Sequence, residues 1–91
     1  MLSNLLRRGD SLLALGDVSA ARLFYDRAAA NGSGKAATAL GKTYDPAVLA
    51  RLGIPSVSGD PTLAIRWYRT ALKLGDAEAG QLLDKAGNLR P

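Results

Sequence analysis

Twelve lysines and arginines, eight carboxylates, and neither histidine nor cysteine set the chemistry open to this 91-residue chain. Without histidine no Ser-His or Cys-His nucleophile can be assembled, and the usual zinc ligand sets are missing. A Ser-Lys nucleophile has nothing to position it. Asp17, Asp45, Asp60 and Asp76 each stand just ahead of a helical stretch, where a carboxylate accepts from free backbone amides, so their types are accounted for as helix caps. "GSGK" at Gly32–Lys35 resembles a phosphate-binding loop, but that motif would need glycine at Ala29, a hydroxyl at Ala36 and a preceding strand. The chain therefore reads as non-enzymatic, with no catalytic residue, no cofactor and no metal site. What remains is polar recognition. Lys35, Thr38 and Lys42 stand three and four apart, along one side of a helix. Arg66, Arg69 and Lys73 follow i, i+3, i+7 and make a small positive strip on another.

The elements that carry these residues are legible from periodicity and punctuation. Five main helices are predicted, over 3–15, 18–31, 35–44, 61–74 and 77–86. In the first, Leu2, Leu5, Leu6, Gly9, Leu12 and Leu13 fall on one stripe, with Asn4, Arg7, Arg8 and Ser11 opposite. Gly16-Asp17 closes it and opens the second, and Gly32-Ser33-Gly34 separates the second from the third. Asp45-Pro46 reads as a cap followed by a first helical position, starting a short extra turn through Leu52, and Gly53–Gly59 reads as a loop. Asp60-Pro61 repeats that signal for the fourth helix, and Gly75-Asp76 separates it from the fifth. No stretch alternates with period two for long enough to be a strand.

Part of the chain is written twice. Shifting Gly16–Tyr44 by 43 residues onto Gly59–Gly87 gives nine identities in 29 positions, where composition alone would give roughly two or three, so internal duplication is the better account. Ala21, Tyr25, Ala28 and Gly32 recur as Ala64, Tyr68, Ala71 and Gly75, along one helical stripe. Alanine there lets a neighbouring helix approach closely, while Phe24 with Tyr25, and Trp67 with Tyr68, supply bulk. Trp67 is expected in the core. Helices joined by two- or three-residue turns must lie antiparallel, and neither pair can bury its stripe without the next.

"GDVSAARLFYDRA", with Gly9 upstream, resembles a tetratricopeptide repeat. The second part resembles the Sel-like branch of that superfamily: Ala36, Leu40, Gly41 and Tyr44 fit A-x-x-x-L-G-x-x-Y, and its continuation fits Asp60, Ala64, Trp67, Tyr68, Ala71, Gly75, Ala79 and Leu83. The departure is the segment Asp45–Gly59, which stands where the family has a short glycine-rich loop. The resemblance implies an all-α, right-handed α-α superhelix of antiparallel hairpins, with residues 1–91 forming one repeat unit that carries an insertion at 45–59. It also implies a bacterial parent protein. In function it implies a non-enzymatic scaffold that holds a peptide segment or partner protein on the face lined by the first helix of each pair. On that face the third helix presents Lys35, Thr38 and Lys42, and by the 43-residue offset the fifth presents Glu78, Gln81 and Lys85. Lys42 and Lys85 would hold a carboxylate or a backbone carbonyl, with Thr38 and Gln81 offering hydrogen bonds.

Two alternatives stand beside this one. The Arg66, Arg69 and Lys73 strip would suit nucleic acid or another anionic partner, although its counterparts Leu23, Asp26 and Ala30 are not basic and no aromatics are interleaved for base stacking. A homodimer would bury the exposed ends of the stack by symmetry. The net charge of +4 is spread from Arg7 to Arg90, as on a solvated surface. The apolar runs fall far short of the about 20 residues a membrane helix needs. Arg7, Arg8 and Asp10 interrupt any signal-peptide pattern, and the lack of cysteine leaves the compartment open.

Overall fold

Every short link in this chain turns on a glycine or an aspartate, and the helices between them define the molecule. The computed structural model describes residues 2–54 and 57–87, with the side chains of Leu2 and Ser3 left aside. Pro55 and Ser56 of the expected loop lie outside the described residues, as does the side chain of Leu2 in the expected first stripe. Among the described residues six helices run in order: α1 (Leu2–Ala14), α2 (Val18–Ala30), α3 (Gly34–Tyr44), α4 (Pro46–Arg51), α5 (Pro61–Lys73) and α6 (Glu78–Gly87). The chain is all-helical, as expected, and α4 is the short turn expected in the 45–59 segment. Each main boundary falls within one residue of its sequence-based place.

The caps show why the helices start and stop where they do. Asp17 accepts from Ala20 N at 3.2 Å and Asp60 from Leu63 N at 3.1 Å, while Pro46 and Pro61 occupy the opening turns of their helices. Gly32 and Gly75, 43 residues apart, end α2 and α5 with φ of +97° and +98°. That left-handed turn lets the next amide reach back: Ser33 N donates to Ala28 O and Asp76 N to Ala71 O, both at 3.0 Å.

Packing follows chain order. α1 packs on α2, α2 on α3, α3 on α5 and α5 on α6, while α4 rests on α3. The interior is built from alanine and two tyrosines. Ala28, Ala29, Ala36, Ala37, Ala64, Ala71 and Ala79 surround Tyr68, and Ala21 and Leu40 surround Tyr25. Small residues bring the helix axes close, so two large rings fill the remaining space. Each ring also packs closely against a glycine of a neighbouring helix, Tyr25 against Gly9 of α1 and Tyr68 against Gly41 of α3. A Cβ at Gly41 would stand 2.6 Å from the Tyr68 ring, and one at Gly9 would overlap the Tyr25 ring. Gly9 and Gly41 are 32 residues apart, whereas their tyrosines are 43 apart, so the additional chain lies between α3 and α5. Trp67 is half-buried against both clusters, on the packing side as expected. Among the described residues no helix is long and apolar enough to cross a membrane.

Candidate functional site

The polar residues anticipated on α3 and α6 divide into two kinds. Lys42 Nζ donates to Glu78 Oε2 at 2.8 Å, which joins α3 to α6 through two partly exposed side chains. Lys35, Gln81 and Lys85 are exposed and make no side-chain hydrogen bond among the described residues. Thr38 departs from expectation. It is 2% exposed, and its hydroxyl donates to Asp76 Oδ2 at 2.5 Å, with the Gly34 carbonyl 3.2 Å away as the alternative acceptor. A threonine committed in this way cannot also serve a ligand.

The same contact corrects the reading of Asp76 as a side-chain cap. Ser33, its counterpart, does cap: its Oγ accepts from Ala36 N at 3.1 Å. Asp76 instead turns its carboxylate to Thr38, and α6 begins with the Asp76 carbonyl accepting from Ala79 N at 3.2 Å. The reason is close packing of the α5–α6 turn on the start of α3, where a Cβ at Gly34 would meet Asp76 Cβ and Leu74 O at 3.2 Å.

Helices from distant parts of the chain enclose a groove of about 430 Å³. Asp10 and Leu13 come from α1, Ala39 and Lys42 from α3. Val48, Arg51 and Leu52 come from α4 and its last turn, and Tyr25 lies at the base. The walls are chiefly apolar, and Asp10, Lys42 and Arg51 supply the charges. A neighbouring hollow of about 550 Å³ shares Asp10, Leu13 and Leu52 and continues past Leu15 to Ile54. Leu15 is 81% exposed and Leu52 49%, so apolar surface extends beyond the groove into solvent.

Two buried phenols are held by carboxylates at this side of the molecule. The Tyr25 hydroxyl donates to Asp10 Oδ1 at 2.6 Å, and the Tyr68 hydroxyl to Asp45 Oδ2 at 2.8 Å. Burial first, and the neighbouring carboxylate second, raise both phenols above their usual range, so both stay protonated donors. Neither can act as a base near neutral pH. Among the described residues there is no group of three or more His, Cys, Asp or Glu placed to hold a metal ion. The arrangement offers apolar contact, two cations and one carboxylate.

Arg66, Arg69 and Lys73 all lie exposed on α5, and the Lys42–Glu78 contact is the one ion pair among the described residues, so the strip is unpaired. Arg22 belongs to none of the motifs read from the sequence. Its Nε donates to Thr43 Oγ1 at 3.1 Å, its Nη2 to the Thr43 carbonyl at 2.6 Å, and its Cζ lies 3.8 Å from the Tyr44 ring centroid. This fastens α2 to the end of α3. Its counterpart at the 43-residue offset is Ile65, so duplication carried no hint; the available clue was an arginine four residues after buried Val18.

No family model, curated protein or solved structure matches the chain.

Proposed function

We propose that this chain is a non-enzymatic interaction module of the tetratricopeptide and Sel-like kind, its hairpins stacked as a right-handed α-α superhelix, that binds an extended segment of a partner protein. The observation that carries the reading is the groove between α1, α3 and α4, with apolar walls and charges from three separate elements. An extended peptide needs sites for alternate side chains and donors for its backbone carbonyls. Leu13, Val48 and Leu52 take an apolar side chain. Arg51 and Lys42 meet carbonyls or an acidic side chain, and Asp10 meets a basic one. Lys35, Gln81 and Lys85 continue the polar edge along α3 and α6.

The test is a selection of random peptides displayed on phage against the purified protein, followed by affinity measurement with Leu52→Asp and Arg51→Glu variants. Both positions are exposed, so folding is spared. Selected peptides are expected to lose roughly tenfold or more in affinity for each variant, and to keep it for Lys73→Glu, because the loss of one desolvated apolar or charged contact is of that size. Equal affinity for parent and both groove variants would sink the reading. Loss with Lys73→Glu alone, falling steeply with salt, would transfer the site to the α5 strip.

A further inference from the structure

A second hollow lies on the other side of α1 and has a different character. It is a shallow depression of about 610 Å³, open to solvent, between α1 and α2, lined by Asn4, Arg7, Arg8, Ser11, Leu12 and Phe24. On a helix of 3.6 residues per turn, Asn4, Arg7, Arg8 and Ser11 share one face, away from Leu13 of the groove, while Asp10 stands one turn from Arg7 at the edge of that face and is engaged by the Tyr25 hydroxyl. No carboxylate lines it. Neither arginine is neutralised, because among the described residues the one ion pair is Lys42–Glu78.

The donors are also arranged. Arg7 Nη2 donates to Asn4 Oδ1 at 3.2 Å, which occupies the amide oxygen and leaves the Asn4 N–H groups as donors. The Arg8 guanidinium lies 5.8 Å from the Phe24 ring centroid, so the ring steadies the cation and offers an apolar wall with Leu12. Two positive charges, a hydroxyl and an amide exceed what one carboxylate can satisfy, whereas a phosphate monoester brings nearly two negative charges and three acceptor oxygens. We propose that this hollow binds a phosphate monoester carried on an apolar or aromatic body, with Arg7 and Arg8 on the phosphoryl oxygens and Phe24 and Leu12 against the body.

The experiment is a titration of the isotopically labelled protein with phenyl phosphate, followed by amide resonances at constant ionic strength, with inorganic phosphate and sodium chloride in parallel. Saturable shifts confined to α1 and the region of Phe24 are expected. Arg7→Gln and Arg8→Gln should each weaken binding by about tenfold, since each removes a charge-assisted contact. Arg69→Gln should leave it unchanged. Inorganic phosphate should bind more weakly, for want of the apolar contact. A phosphotyrosyl peptide binding several-fold tighter than phenyl phosphate would assign the body to a polypeptide, and equal binding to a small molecule. Linear shifts shared with chloride, equal binding by Arg7→Gln and Arg8→Gln, or inorganic phosphate binding as well as phenyl phosphate would each overturn the proposal. Groove peptides report on a separate face, so either proposal can fail alone.

Discussion

The Tyr68 hydroxyl sits 2.8 Å from Asp45 Oδ2, while the other oxygen of the same carboxylate accepts from Ala47 N at 3.0 Å. One side chain thus caps α4 and ties α5 to the start of the 45–59 segment. Asp45→Ala should cost about 1 kcal/mol for the cap and about 1.5–3 kcal/mol for the bond to a charged acceptor. Asp17→Ala, which loses only a cap, should cost about 1 kcal/mol. Urea unfolding of the two variants checks the difference; equal losses would mean that the Tyr68 contact contributes nothing net.

Alkali should destabilise the protein through Tyr25 and Tyr68. Both phenols are raised in the folded state, so their contribution is complete below the unfolded phenol value of about 10 and is lost as pH rises above it. Melting temperature should fall above about pH 10, and Tyr25→Phe or Tyr68→Phe should flatten that fall while lowering stability near neutrality. Melting curves across pH 8–11 give the answer.

Glycine is needed at two helical positions for space. Gly41→Ala drives a methyl into the Tyr68 ring and should cost about 1–3 kcal/mol or more, the range for an overpacked core. Gly80→Ala is the control, since its nearest neighbour, Leu72, would be 3.7 Å away. There the gain in helix propensity should stabilise by up to about 1 kcal/mol. Denaturant midpoints with unchanged slopes would establish both signs.

Arg22 should behave as a fastening rather than a surface charge. Arg22→Met keeps much of the stem but loses both hydrogen bonds to Thr43 and the stacking on Tyr44, at an expected cost of about 1.5–3 kcal/mol. Thr43→Val removes one of those partners. A double-mutant cycle should show coupling of at least about 0.5 kcal/mol, and strict additivity would contradict the contact.

The helices were legible because their signals are local. Asp17, Asp60 and the Gly32 and Gly75 turns act within one turn of their own position, and the alanine and tyrosine stripes obey helical spacing. What the sequence concealed depends on distant parts meeting. Thr38 has the spacing of a solvent-facing residue, but the α5–α6 turn lands on it and takes its hydroxyl. Lys42, expected to hold a ligand's carboxylate or carbonyl, meets Glu78 of α6 instead, a pairing across 36 residues that neither stretch announces. The groove combines α1 with α4, and nothing in the α4 stretch, Pro46–Arg51, announces that Val48 and Arg51 will face Leu13. Arg7 and Arg8 have the spacing of the face opposite the leucine stripe, and only the placement of Phe24 on α2 makes a hollow beside them.

The 45–59 segment leaves and rejoins the helical body through a narrow neck. Asp60 N donates to the Tyr44 carbonyl at 2.7 Å, and Gly59 fits so closely over Tyr44 and Pro46 that a Cβ there would meet them at 2.9 Å and 2.8 Å. The two ends are therefore already spliced in space, and what hangs between them behaves as a cassette. Asp45, bonded to Tyr68, and the buried Val48 and Leu49 anchor it to the body, so change in the cassette is confined to its exposed positions, where loop-closure entropy grows only slowly with length. Arg51 and Leu52 belong to that cassette. Under the proposed function, the selectivity of the groove would then be rewritten at those exposed positions, while the alanine and tyrosine interior stays as it is.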